Sequence, residues 1–232
     1  MKAPRPILLF MVTVAVAAMA LGVSVSAAAP FPLRSPQVPF AYGALQGYFA
    51  SIGEPSINVA TMQYDAQSWA VTISGNAEFT ILLKTMSPDN SIGIYTTTEV
   101  VPLLKQVFPG FAAAGWYATC HFTTVGTVKV SLFDDLGDLQ GVTTYPIDRN
   151  NFGFYLQGPG GTFYSQDSRN GGAPQVLTYA GISNYGDWFE CFEVAPYNPG
   201  SSTFTGCVLD LQSVIPTPTS QQSWGRLKSL YR

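Results

Sequence analysis

Between Phe152 and Val214 the chain consists of four short apolar-aromatic stretches separated by turn-forming clusters: FGFYLQGPGGTFYSQDSRN, APQVLTYAG, GDWFECFEVAPYNPG and FTGCVLDLQSV. Runs this short, rich in Phe, Tyr, Val and Trp and bounded by Gly, Pro and Asn, are strand signals, because a helix needs a longer uninterrupted periodic segment. Upstream the period is mostly two. Trp69–Ser74 alternates Trp69, Val71 and Ile73 on one face. Glu78–Lys84, Ser91–Thr97, Gly115–Thr124 and Thr127–Phe133 repeat the pattern, with a Pro-Asp-Asn turn at Pro88–Asn90. Roughly ten strands with turn signals every 8–12 residues predict an all-β fold, an antiparallel two-sheet β-sandwich of jelly-roll type, with one or two short helices. Long crossover helices, which parallel strands require, are missing from the pattern.

Two segments depart from period two. In Ala44–Ile52 the apolar residues Leu45, Tyr48, Phe49 and Ile52 fall at helical spacing before Gly53 and Pro55, which predicts a short amphipathic helix. Val100–Phe108 reads as a turn of helix, with Pro102 in its first turn. Four prolines between Pro30 and Pro39 mark an extended leader. Pro216 and Pro218 mark a stiff spacer, and Ser223–Arg232 (SWGRLKSLYR) is a basic amphipathic tail. The expected organisation is a signal segment over 1–28, a Pro-rich leader over 29–43, the sandwich over 44–214, and a linker with tail over 215–232.

The first segment carries Lys2 and Arg5, an apolar stretch Ile7–Ala20, and small residues up to Ala29. That is the pattern of a cleaved secretory signal, with cleavage near Ala27 or Ala28; an uncleaved anchor is the rival reading. No second run of spanning length follows, so no membrane span is expected after cleavage. Of the 11 basic residues, nine remain without Lys2 and Arg5, against 14 acidic ones. An acidic, charge-poor chain argues against nucleic-acid and anionic-membrane partners, which need clustered Lys and Arg. Export puts Cys120, Cys191 and Cys207 in an oxidising compartment. Cys191 and Cys207 lie on two consecutive strands, each among apolar residues. We therefore expect a Cys191–Cys207 disulfide with Cys120 as the spare thiol; two buried free thiols are the alternative.

Chemistry-bearing residues are sparse. His121 is the single histidine, so a site with two histidines on one metal is excluded. Its neighbour Cys120 must point to the opposite face of a strand, which makes a Cys-His dyad geometrically poor. Glu190 and Glu193 likewise face opposite ways. Asp134, Asp135 and Asp138 occupy a turn, where Asp bonds its own backbone; a cation there is the competing reading. Candidate sugar-stacking aromatics are Tyr155, Tyr164, Tyr179 and Trp188, set against core packing.

The pieces FGFYL (Phe152–Leu156), TFYS (Thr162–Ser165), Asn170, QVLTY (Gln175–Tyr179) and WFECFE (Trp188–Glu193), with IGIY (Ile92–Tyr95) and VFPG (Val107–Gly110) upstream, carry a resemblance. Together they resemble an uncharacterised domain family of secreted bacterial proteins, whose members often bear C-terminal anchoring or sorting signals. The resemblance implies a β-sandwich-like extracellular module and no specific activity. In the family's pattern Phe-Glu continues into an acidic group suited to calcium. Here Val194 and Ala195 follow Phe192 and Glu193, and Ser202–Gly206 holds no acid, so Glu193 alone keeps the pattern. A calcium site of the family is therefore expected to be lost here and no cofactor is expected; calcium is the alternative, with Asp134, Asp135, Asp138 and Glu193 as its candidate ligands. The expected role is a secreted or cell-surface, non-catalytic module of structural or binding/adhesion type. The alternatives are a lectin-like module for carbohydrate or calcium and, behind it, a glycoside hydrolase with two carboxylates in a cleft. The expected partner is an extracellular glycan or another cell-surface component.

Overall fold

The computed structural model describes residues Phe31–Pro218. The signal-segment and tail readings lie outside them. No helix among the described residues is long and apolar enough to cross a membrane.

Thirteen strands, one α-helix and a short 3-10 helix (Asp167–Asn170) are the regular elements of the described residues. Helix α1 (Tyr42–Ser51) comes first. The strands are β1 (Ala66–Val71), β2 (Asn76–Lys84), β3 (Ser91–Thr96), β4 (Lys105–Phe108), β5 (Tyr117–Phe122), β6 (Thr127–Phe133), β7 (Leu139–Pro146), β8 (Phe152–Gly158), β9 (Gly161–Tyr164), β10 (Val176–Ala180), β11 (Trp188–Phe192), β12 (Cys207–Gln212) and β13 (Val214–Pro218). A six-stranded sheet runs β13-β1-β8-β3-β4, with β9 also on β8; a seven-stranded sheet runs β10-β11-β12-β2-β5-β6-β7. Every strand pairing is antiparallel. The protein is an all-β, two-sheet sandwich.

The inter-sheet core explains the alternation. Phe79 and Ile81 of β2, Cys120 and Phe122 of β5, and Val128 and Val130 of β6 meet Trp69, Ile92, Ile94, Phe152 and Phe154 of the other sheet. The last third does not alternate, because its strands are buried on both faces. Leu45 and Phe49 of α1, with Val38, Phe40, Ile57 and Val59, lie over Leu177, Tyr179, Phe189, Cys191 and Val208 on the far side of β10–β12. A strand covered twice reads as a continuous apolar run. The described part of the Pro-rich leader, from Phe31 on, therefore belongs to the domain, and Leu33 forms a bridge to Tyr64.

Several expectations are corrected. Ile73 is not in β1, which ends at Val71; it projects fully exposed from the turn to β2. Val100–Phe108 forms no helical turn. Its C-terminal half is β4, paired with β3; its N-terminal half starts in a bend at Val100–Val101, which the Arg169 guanidinium ties down by donating to the carbonyls of Thr97, Glu99 and Val100. The Pro216–Pro218 spacer is strand β13, paired with β1. As an edge strand it tolerates the missing proline N–H groups. Strand β7 follows the acidic turn where only a loop was expected.

The expected disulfide is also overturned: all three cysteines are free and buried. The register pairs Cys191 with Val208 and Phe192 with Cys207. Directly opposed residues share a face, so Cys191 points with Val208 into the core under α1, while Cys207 points with Phe192 into the inter-sheet core. Both thiols face a core, but on opposite sides of the sheet, and a bridge would require their Cβ atoms to converge. Burial pushes all three thiols up from their ordinary value. Dithiothreitol is accordingly expected to leave the melting temperature unchanged. Thiol-reactive dye should label none of the three until the protein unfolds. A reductant-dependent drop in melting temperature would contradict this register.

Candidate functional site

Three strands of the seven-stranded sheet, β2, β5 and β6, send one parity inward and the other outward. The outward set forms three cross-strand rows. Asn76, His121, Lys129 and Thr144 make the first; Gln212, Glu78, Thr119, Ser131 and Val142 the second; Asp210, Thr80, Tyr117, Phe133 and Leu139 the third. Helix α1 covers the β10–β12 part of this face. Beyond it lies a shallow trough of about 540 Å³ lined by Asn76, Glu78, Thr119, His121, Lys129, Ser131 and Gln212.

The trough presents donors and acceptors of both charge signs. The Asn76 Oδ1 lies 2.8 Å from His121 Nδ1. A carbonyl oxygen can only accept, so Nδ1 donates in this pair. Tyr117 and Phe133, each partly exposed, stack with centroids 5.0 Å apart and planes 10° from parallel. They form a flat apolar step beside the polar rows. Near the rim, Asp210 is nearly buried. Burial, with Asp187 and Glu78 nearby, pushes its carboxyl up to about 6, although Gln212 donates to it at 3.0 Å.

The aromatics proposed from sequence are not a platform. Tyr155 and Tyr179 are core residues. Tyr155 lies over Gly93, its cross-strand partner, just as Tyr95 lies over Gly153. A Cβ at Gly93 would collide with the Lys105 carbonyl and the Tyr155 ring, so only glycine fits under that tyrosine. Tyr164 packs edge-on against Tyr95, with the Arg169 guanidinium 5.9 Å from its ring centre. Trp188 is held edge-on between Phe31, Tyr64 and Trp69.

Nor are the candidate metal ligands brought together; among the described residues no three His, Cys, Asp or Glu side chains form a metal-holding group. Asp134 accepts from the backbone of Leu136 and Asp138 and from Gln140 Nε2, shaping the β6–β7 turn. Asp135 and Asp138 are exposed in the same turn. Glu193 accepts from the N–H groups of Thr203 and Phe204 and so clips the loop before β12, where Phe204 has φ 53°.

Glu190 is the most unusual carboxyl. It is fully buried in β11, and its Oε1 accepts from Trp69 Nε1 at 2.6 Å, while Oε2 has no partner. Burial pushes it up to about 8 despite the indole hydrogen bond. Its cross-strand neighbours are Thr178 and Leu209, and the Trp69 indole meets its carboxyl. Cys120 points inward and His121 outward, as strand geometry requires.

No family model, curated protein or solved structure matches the chain. The resemblance to the secreted bacterial family thus rests on its motifs alone. Those motifs occupy β3, β4 and β8–β11, where their residues build the two cores.

Proposed function

We propose that this protein is a secreted or surface-associated, non-catalytic binding module whose ligand-facing surface is the outer face of β2, β5 and β6. The observation that supports this reading is the pairing of polar rows with the Tyr117–Phe133 step. A sheet face needs polar residues only to be wet. Opposed donors and acceptors beside a flat apolar step match a polyhydroxylated chain, which offers hydroxyls at its edge and C–H groups on its face. The trough's lining holds one carboxylate, Glu78, whereas glycoside cleavage uses two flanking the bond. Glycan-array screening followed by calorimetric titration tests the proposal. A polysaccharide ligand is expected, with at least tenfold weaker binding for Tyr117→Ala and for Glu78→Ala at unchanged melting temperature. A flat array would remove the glycan and leave a structural role.

A further inference from the structure

We propose that β7 is the interface of a two-fold homodimer, in which β7 pairs antiparallel with β7 of a second copy about an axis at Val142. This strand ends the seven-stranded sheet, and its residues from Leu139 to Thr144 are exposed on both faces. It is eight residues long and carries no charge. Natural edges are usually blunted by charge, shortness, a cover, proline or a bulge; β7 has Pro146 at one end and a bulge at Gln140 near the other, and its stretch Gly141–Tyr145 between them has no such protection.

The direction of its free backbone groups follows from the register. Ile147 N donates to Gly126 O at 2.9 Å. Antiparallel hydrogen-bonded pairs recur every second residue, so Tyr145, Thr143 and Gly141 bond to β6. Val142 and Thr144 then turn their N–H and C=O outward, and no backbone group beyond the sheet meets them among the described residues. A strand donating from alternate residues can pair with its own copy only where an outward residue meets an outward residue. Centring the axis on Val142 does this: Val142 faces Val142, and Thr144 faces Gln140. Val142 and Leu139, 49% and 56% exposed, supply the apolar contact.

Charge selects the antiparallel sense. One end of β7 carries the turn acids Asp134, Asp135 and Asp138. The other carries three of the six basic residues in the described chain: Lys129 opposite Thr144, with Lys105 and Arg149 beside Pro146. Asp148 and Glu99 lie at that end too, which leaves it one positive charge in excess against three negative charges on the turn. Antiparallel pairing sets each copy's acidic turn against its partner's basic end; parallel pairing would set like ends together. The dimer would join two binding faces on one continuous sheet and so present its ligand with two sites.

Sedimentation equilibrium on the mature chain tests this. A dimer is expected for the wild type, and at least tenfold weaker self-association for Val142→Lys and for Val142→Glu, each placing like charges together on the axis. An equimolar mixture of the two variants should regain the dimer. Melting temperatures of the isolated variants, measured alongside, should match that of dissociated wild type because Val142 is half exposed. A monomeric wild type, or a dimer untouched by both substitutions, would overturn the proposal. A mixture that stays monomeric would overturn the Val142 axis. Capture of a foreign strand by a monomeric wild type would assign the edge to another partner and equally overturn it.

Discussion

Replacing Glu54 with alanine is expected to cost roughly 3 kcal/mol or more of folding stability at neutral pH. Glu54 follows α1 and is fully buried. Its Oε2 accepts from the N–H groups of Ile182 and Ser183 at 3.0 and 2.9 Å, and its Oε1 from Asn184 N at 2.7 Å. Alanine would leave three backbone donors without their acceptor in the loop joining β10 to β11. It would also untie α1 from the strands it covers. Burial works against the ionised carboxyl, but the three amides outweigh it and hold Glu54 below its ordinary value. A carboxyl depressed in this way stabilises fully above its unfolded value of 4.5, and its contribution is lost as pH falls through the folded value. The gap between wild type and Glu54→Ala should therefore be full at pH 7 and close on acidification. Urea midpoints across that range measure it. A gap that persists unchanged in strong acid would mean that the carboxylate charge contributes nothing.

The sequence reading found what burial patterning can encode. Leu45, Tyr48, Phe49 and Ile52 announced α1, and the alternation in β2, β3, β5 and β6 announced the sandwich. It missed β7 because LQGVTTYP buries almost nothing, so no periodicity is imposed on its side chains; only backbone pairing to β6 makes it a strand. The disulfide failed on parity. Both cysteines were correctly read as lying among apolar residues on consecutive strands, but those strands are buried on both faces, and nothing local says which of two cores each cysteine enters. The aromatic candidates failed for the same reason: Tyr179 lies on an outer face that α1 happens to cover. The polar half of β5, Tyr117, Thr119 and His121, was legible as a face. Its rows with β2 and β6 needed the register.

Glu190→Gln should reverse the usual direction of a buried-polar substitution and stabilise the protein in alkaline solution. The carboxyl sits near 8 in the folded chain against 4.5 unfolded. Between those values the unfolded chain has released its proton and the folded chain has not, so stability falls as pH rises through this window. The full loss is on the order of 4–5 kcal/mol, at about 1.4 kcal/mol per pH unit. Glutamine keeps the shape and the acceptor for Trp69 Nε1 but cannot ionise. Its amide nitrogen replaces an oxygen that has no partner, so the variant should match or fall slightly below wild type at pH 5 and exceed it by several kcal/mol at pH 9. A smaller decline should remain in both proteins up to about pH 6, because Asp210 is raised in the same sense. Glu190→Leu separates charge from hydrogen bonding: it also removes the alkaline loss, but it orphans the buried Trp69 N–H and should be weaker at every acidic pH. Chemical denaturation at pH 5, 7 and 9 distinguishes the three chains. Parallel slopes for wild type and Glu190→Gln would show that the carboxyl is already ionised at pH 7, and that the Trp69 indole, with water reaching Oε2, solvates the anion far better than the sealed geometry allows.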